Sequence, residues 1–262
     1  MIPYYEDAAV RLYCGDCREI LPTLEAVDHV ITDPPYASAI YQQVKRWNTH
    51  AGSGTPGRAR VSVGKQGRQI HDLVNGALAK MAAGSIGNID AMLDAVAGEI
   101  GRLTQRWALV FSDVETCFRW KAAMEAGGMR YVRTGAWIKP DAMPQMSGDR
   151  PAVGFEPCTI AHAKGAMRWN GGGRQAAWTY GICHIDRPDH PCPKPEPLMI
   201  HLVTDFTDDG ETILDPFAGS GTTLVAAKRL GRKAIGIELN EAYCAIAASR
   251  LRQGALPLEF SA

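Results

Sequence analysis

The sequence predicts an α/β fold: a doubly wound, mostly parallel sheet with helices on both faces and an antiparallel hairpin at one edge. Three observations predict it. Short strand-like runs at 10–16, 28–33 and 107–112 are separated by helical stretches. Two strand–helix units follow residue 210, the first joined by a glycine turn. Between them, 131–138 and 156–163 are strand-like and suit an antiparallel edge pair.

Ala9 to Asp16 alternates apolar and polar residues, and Cys17 to Leu21 continues as a short helix that Pro22 or Thr23 ends. Asp16 stands at that junction, where an N-cap is expected. Val27 to Thr32 is a strand running into Asp33-Pro34-Pro35-Tyr36. Asp90 to Leu103 is an amphipathic helix, and Trp107 to Phe111 a buried strand. A helix from Thr116 to Met124 is stopped by Gly127-Gly128, and strand-like runs follow at Arg130 to Ile138 and Phe155 to Ala163. Glu211 to Leu214 is a parallel strand, Leu224 to Leu230 a helix with Gly231 as its stop, and Ala234 to Glu238 the next strand.

The chemistry gathers at two strand ends. Strand, glycine turn and helix over 211–230 place backbone N–H groups and a helix N-terminus against a ligand, with Gly219 and Gly221 letting the backbone come close. Glu238, about twenty residues on, suits the two hydroxyls of a ribose. Asp16, beside such a pocket, either caps its helix only or also accepts from an adenine amino group. A P-loop is excluded because no Lys follows Gly221, and the dinucleotide glycine spacing is absent. At the other strand end, Pro34 and Pro35 remove two backbone donors. What remains is the Asp33 carboxylate, the Pro34 carbonyl and the Tyr36 ring, a set suited to holding a planar amine.

Composition narrows the classes. The 262 residues and 28.4 kDa suit one large domain with a sizeable core. Formal net charge is zero, so a nucleic acid has to be met by a local basic face. With no long apolar run and no opening signal-like segment, a cytoplasmic, non-membrane protein is expected. The seven cysteines are scattered, as in a reducing compartment. Cys14 and Cys17 lack a second pair, and Cys183, His184, His190 and Cys192 lack zinc spacing, so no metal is expected.

Asp33-Pro34-Pro35-Tyr36 taken with Asp215-Pro216-Phe217-Ala218-Gly219-Ser220-Gly221-Thr222-Thr223 resembles the β class of amino-methylating DNA methyltransferases. Lys194-Pro195-Glu196-Pro197-Leu198 resembles that family's motif X, and Gly236-Ile237-Glu238-Leu239-Asn240 its motif II. Thr-Gln is common before the family's Lys-Pro pair, where this chain has Cys192-Pro193. The resemblance implies a Rossmann-like fold in circularly permuted order, catalytic motif first, and S-adenosylmethionine as cofactor. It implies catalysis by Asp33, Pro34, Pro35 and Tyr36. Cofactor binding would fall to Asp16, Cys17, Asp33, Lys194, the run Asp215 to Thr223, Glu238 and Leu239. Ser is common at the first motif position in the family's cytosine-N4 members, so Asp33 points to adenine-N6. Cytosine-N4 methylation is the second reading, then methylation of RNA or protein glutamine, and last an inactive DNA-binding regulator.

Two insertions interrupt a single methyltransferase domain spanning 1–262. Residues 37–71 carry Lys45, Arg46, Arg58, Arg60, Lys65 and Arg68 among glycines and no acid, as in a clamp that orders on phosphates. Residues 164–193 carry Arg168-Trp169-Asn170 and Arg174, residue types that read base edges, at the family's target-recognition position. The expected partner is double-stranded DNA. The second insertion is short, so help is expected from the first or from a second subunit in a homodimer. The resemblance also admits a cognate restriction endonuclease.

Overall fold

The computed structural model describes residues 1–35, 89–142, 148–182 and 194–253. Within them nine strands form one sheet: β1 (Tyr5–Glu6), β2 (Val10–Cys14), β3 (His29–Thr32), β4 (Trp107–Phe111), β5 (Arg130–Ile138), β6 (Phe155–His162), β7 (Ala177–Thr179), β8 (Thr212–Asp215) and β9 (Lys233–Glu238). Their order is β1-β2-β9-β8-β3-β4-β6-β5-β7. The five strands β2, β9, β8, β3 and β4 are mutually parallel. The expected antiparallel pair β5/β6 forms against β4, with a register shift between Tyr131 and Arg133.

Six α-helices are described: α1 (Cys17–Ile20), α2 (Ile89–Leu103), α3 (Cys117–Ala126), α4 (Glu196–Phe206), α5 (Thr222–Arg229) and α6 (Glu241–Arg252). None is long and apolar enough to cross a membrane. Helices cover both faces, so strand residues are buried on alternating sides. On β4, Trp107, Leu109 and Phe111 join the core under α4, α5 and α6, while Ala108 and Val110 join the core under α1, α2 and α3. That is why the central strands read as continuous apolar runs, without the polar alternation of a half-exposed sheet.

Two strands depart from the sequence expectation. β1 pairs antiparallel with β2 at one edge. At the other, β7 pairs parallel with β5, so the antiparallel pair is not outermost and part of the 164–193 insertion belongs to the sheet. Trp178 drives this: it is buried against Phe206 of α4, a side chain whose burial outweighs the shortness of a three-residue strand.

The α2–α3 crossing is close at Gly101 and Gly127. A Cβ on Gly101 would stand 2.1 Å from the Gly127 carbonyl oxygen, whereas a Cβ on Gly98 would meet nothing within 4 Å. Gly101→Ala is therefore expected to destabilise the fold by about 1–3 kcal/mol through overpacking. Gly98→Ala, one turn away, should stabilise by up to about 1 kcal/mol through helix propensity. Thermal melts of the two variants, monitored by circular dichroism, should move in opposite directions.

Candidate active site

The site lies at the carboxyl edge of the parallel strands, where β3 and β8 run side by side. From β8 the chain passes through α5 to β9 on one side, while β4 flanks β3 on the other. Ligands bind at such a switch point because the two loops leave it in opposite directions and open a crevice. The two strand ends are tied directly: Thr32 Oγ1 donates to Asp215 Oδ1 at 2.7 Å, and Phe217 N donates to the same oxygen at 3.1 Å. Burial pushes the Asp215 carboxyl up to about 6, against the hydrogen bonds from Thr223, Thr32 and Phe217.

Asp33 follows β3 directly, with Pro34 buried and Pro35 half-buried after it. Its Oδ2 accepts from the Lys194 ammonium, while its Oδ1 is buried and has no hydrogen-bond partner among the described residues. Lys194 Nζ also lies 3.1 Å from Glu156 Oε2, and Glu156 Oε1 accepts from Lys139. Aromatic faces close over these cations. Lys194 Nζ sits 5.2 Å from the Phe111 ring centroid and 5.6 Å from that of Trp137, and Lys139 Nζ is 4.4 Å from Trp137. Burial raises the Asp33 carboxyl above its ordinary value, against the pull of Lys194. Burial alone would lower Lys194; Asp33 and Glu156 outweigh it and hold the ammonium above its usual value.

The glycine turn faces this cluster from β8. Gly219 and Gly221 both take positive φ, 53° and 80°, and Gly221 caps α5. A Cβ on Gly221 would come within 2.9 Å of the Ala247 Cβ, so this glycine serves the packing of α6 as well as the turn. Glu238, ending β9, accepts from Gly219 N at 2.9 Å through one oxygen and from Asn240 N at 2.7 Å through the other. Burial raises its carboxyl above the usual value against those backbone donors. Leu239 beside it is exposed, while Ala218, Ser220, Thr222 and Thr223 are buried and Pro216 lies within the turn. Arg250 of α6 pins the turn through the Ser220 carbonyl at 2.7 Å and Thr222 Oγ1 at 3.1 Å, and reaches Glu196 at the start of α4 at 3.5 Å. Nothing in the local sequence marks Arg250, because its partners lie 28 to 54 residues away.

Asp16 caps α1, accepting from Arg18 N at 2.9 Å, and its carboxylate is also held by the Arg18 guanidinium, which lowers it below the usual range. It stands beside Glu238, because β2 pairs with β9 and Gly15 N donates to the Glu238 carbonyl at 2.9 Å. Cys17 is buried, and burial pushes its thiol up to about 12.

The second insertion holds the four residues expected to read base edges. Arg168, Trp169 and Asn170 lie at the amino edge of the parallel strands, the end away from Asp33. Arg168 pairs with Asp208 at 3.2 Å, and its carbonyl accepts from Trp107 Nε1 at 2.6 Å. Asn170 Nδ2 donates to the Thr207 carbonyl and to Asp208, each at 3.0 Å. Trp169 packs edge-on against Phe206 at 4.7 Å. Arg174 binds the buried Asp205 carboxylate at 2.7 Å. Among the described residues these four brace the end of α4, and the Arg168 and Arg174 side chains keep 70% and 54% of their surface exposed. Tyr36, Lys45, Arg46, Arg58, Arg60, Lys65 and Arg68 lie outside the described residues, as do Cys183, His184, His190 and Cys192.

A glycine turn and an acid at adjacent strand ends, facing a carboxylate across a switch point, is the arrangement of a transferase with a nucleoside-bearing cofactor. A family model described as DNA methylase matches residues 168–249. The putative methylase YubD of Escherichia coli (strain K12) is 30% identical over 241 residues, which cover 89% of this chain and 86% of that protein. The chain belongs to the amino-methylating DNA methyltransferase family. Among solved structures, the M1.HpyAVI–SAM complex matches with a TM-score of 0.65 at 21% identity, over 92% of this chain and 98% of that one. PvuII DNA methyltransferase, described as cytosine-N4-specific, matches with a TM-score of 0.67 at 16% identity, over 99% and 90%. At these identities the two structures speak for the fold.

The ion pair makes a pH prediction. Lys194 favours the ionised form of Asp33 and burial opposes it. In Lys194→Met the largest influence favouring ionisation is lost, while burial and Glu156 still oppose it, so Asp33 should protonate at higher pH than in the native enzyme. The acidic limb of the kcat/KM profile is then expected to move to higher pH, measured by single-turnover methyl transfer across a pH series.

Proposed function

We propose that this enzyme transfers a methyl group from S-adenosylmethionine to the exocyclic N6 amine of an adenine flipped out of duplex DNA. One observation carries the reading: a carboxylate at the end of β3 with a buried oxygen that has no partner among the described residues, beside a glycine turn and a ribose-type acid. S-adenosylmethionine, when bound, supplies an electrophilic sulfonium methyl. Glu238 would hold the ribose hydroxyls, since each of its oxygens accepts one backbone bond and keeps capacity for another. The turn from Asp215 to Thr223 and the start of α5 would line the pocket, with Asp16, Cys17, Lys194 and Leu239 at its margins.

Flipping costs a few kcal/mol, and stacking on Tyr36 would offset about 1–3 kcal/mol of it. The target amine is a poor nucleophile because its lone pair is delocalised into the ring. Asp33 Oδ1 and the Pro34 carbonyl, accepting its two hydrogens, favour a pyramidal nitrogen with the lone pair directed outward. Positioning and electrostatics then lower the barrier to in-line displacement. As the new N–C bond forms, the nitrogen sheds a proton. Burial raises the proton affinity of Asp33, which suits it as first acceptor.

Cytosine-N4 transfer is the second reading, because PvuII methyltransferase shares the fold and the amine chemistry is the same. Nucleoside digestion and mass analysis of methylated DNA separates the two. N6-methyladenosine is expected, and N4-methylcytosine would reverse the assignment. Asp33→Ala should abolish transfer with S-adenosylmethionine affinity nearly intact. Glu238→Ala should do the converse, weakening cofactor binding by about 1.5–3 kcal/mol by calorimetry.

The basic segment 37–71 would clamp phosphates in this reading. Replacing Arg58, Arg60, Lys65 and Arg68 with Gln should lower the slope of log affinity against log salt by about 0.9 for each phosphate that is no longer neutralised. The methylated sequence should stay the same, since phosphate contacts position and base contacts specify. Salt titrations on cognate and scrambled duplexes measure both.

A further inference from the structure

Behind the amine site, four charged side chains alternate in sign: Lys139, Glu156, Lys194 and Asp33. Only Asp33 meets the target in the proposed reaction. The other three are well enclosed, with side-chain exposures of 17% for Lys139, 16% for Glu156 and 9% for Lys194. Enclosing charges is expensive, and an ion network that merely fastened β5 and β6 to the sheet would have no need to end on the catalytic carboxylate.

The sheet fixes Glu156 in place. It lies opposite Trp137 in the β5/β6 register, and the Trp137 ring is the one both lysines share. Lys194, just ahead of α4, is therefore held between a carboxylate from the antiparallel flank and one from the central strand. Its ammonium has three donors. Set against a single carboxylate, it would be drawn across both oxygens. Set between two, it is divided.

We propose that Glu156 is a positioning residue for methyl transfer. It shares the Lys194 ammonium with Asp33, so that Lys194 engages Asp33 Oδ2 and leaves Oδ1 to accept the target amine. This rests on the reading of Asp33 as the amine acceptor. The unpaired state of Oδ1 beside an ion-paired Oδ2 is what such sharing produces.

The test replaces charge and keeps shape. The charged and titratable groups around Asp33 are Lys194, Glu156 and Lys139, with Asp215 at the end of β8 and Cys158 on β6. Glu156 raises the proton affinity of Asp33, and Glu156→Gln removes that influence while freeing Lys194 to close on Asp33. The expected result is a kcat lower by about tenfold, as for a displaced reacting group. Calorimetric affinity for S-adenosylmethionine should be unchanged, and the acidic limb of kcat/KM should move to lower pH.

Because Glu156→Gln leaves Lys139 without its carboxylate, the double variant Glu156→Gln/Lys139→Met restores charge balance. It should show the same two changes, with a smaller pH displacement because Lys139 acts on Asp33 in the opposite sense. A merely structural role would lower the melting temperature without moving the acidic limb. An unmoved limb in a folded variant overturns the proposal, and so does the failure of both variants to fold. Asp33→Ala, run in parallel, separates the two levels. If it retains turnover, the acceptor reading fails. If it is dead while Glu156→Gln has a native profile, only the role of Glu156 fails.

Discussion

The hydrogen bond from Thr32 to Asp215 joins the two strands on which everything else depends. One strand end carries the Asp33 carboxylate, and its neighbour carries the glycine turn. Parallel strands in register put both loops at the same edge, about one strand spacing apart. In the proposed reaction a cofactor methyl and an acceptor amine have to meet within a few ångströms, and this pairing would supply that closeness before either ligand binds. The two apolar cores, one on each face, hold β3 and β8 between helices and so fix the distance.

Function sets the charges against stability at this edge. Asp33, Lys194, Glu156, Lys139 and Asp215 are all withdrawn from water to some degree, and a core of the same size built from apolar side chains would cost less to form. The raised affinities of Asp33 and Asp215 for protons are the measurable trace of that withdrawal. The cluster persists because each charged side chain meets an opposite charge or a hydrogen-bond donor, although Asp33 Oδ1 itself has no hydrogen-bond partner among the described residues.

At the amino edge the same kinds of residue do the opposite work. Arg106, Arg168, Asn170, His29 and Glu211 join Asp208 in a brace that satisfies the ends of α4, β3 and β8. Phe206 contacts Trp107, Trp169 and Trp178, which fastens the segment after β6 onto α4. One helix thus runs from the carboxyl edge, where Glu196 meets Arg229 and Arg250, to the braced edge.

Local sequence was enough to specify the sheet-forming runs, the glycine turn, the acid that ends β9 and the carboxylate that ends β3. Each of these is encoded in periodicity or in a motif whose spacing the chemistry requires. Which partners the arginines, tryptophans and asparagines meet within the chain was decided only by folding, because these side chains suit a base edge, a carboxylate or an aromatic face equally well. Arg168, Trp169 and Asn170 have the composition of a recognition cluster, yet Asp208 and Phe206 stand beside them and take up their polar and aromatic groups. Lys194 lies in a cofactor-type motif, yet its ammonium meets Asp33 and Glu156, from strands distant in sequence. Glu156, Arg250 and the strand β7 have no local signature at all. Their roles come from partners that only the folded chain brings within reach, and long-range pairing of that kind leaves no period in the sequence to read.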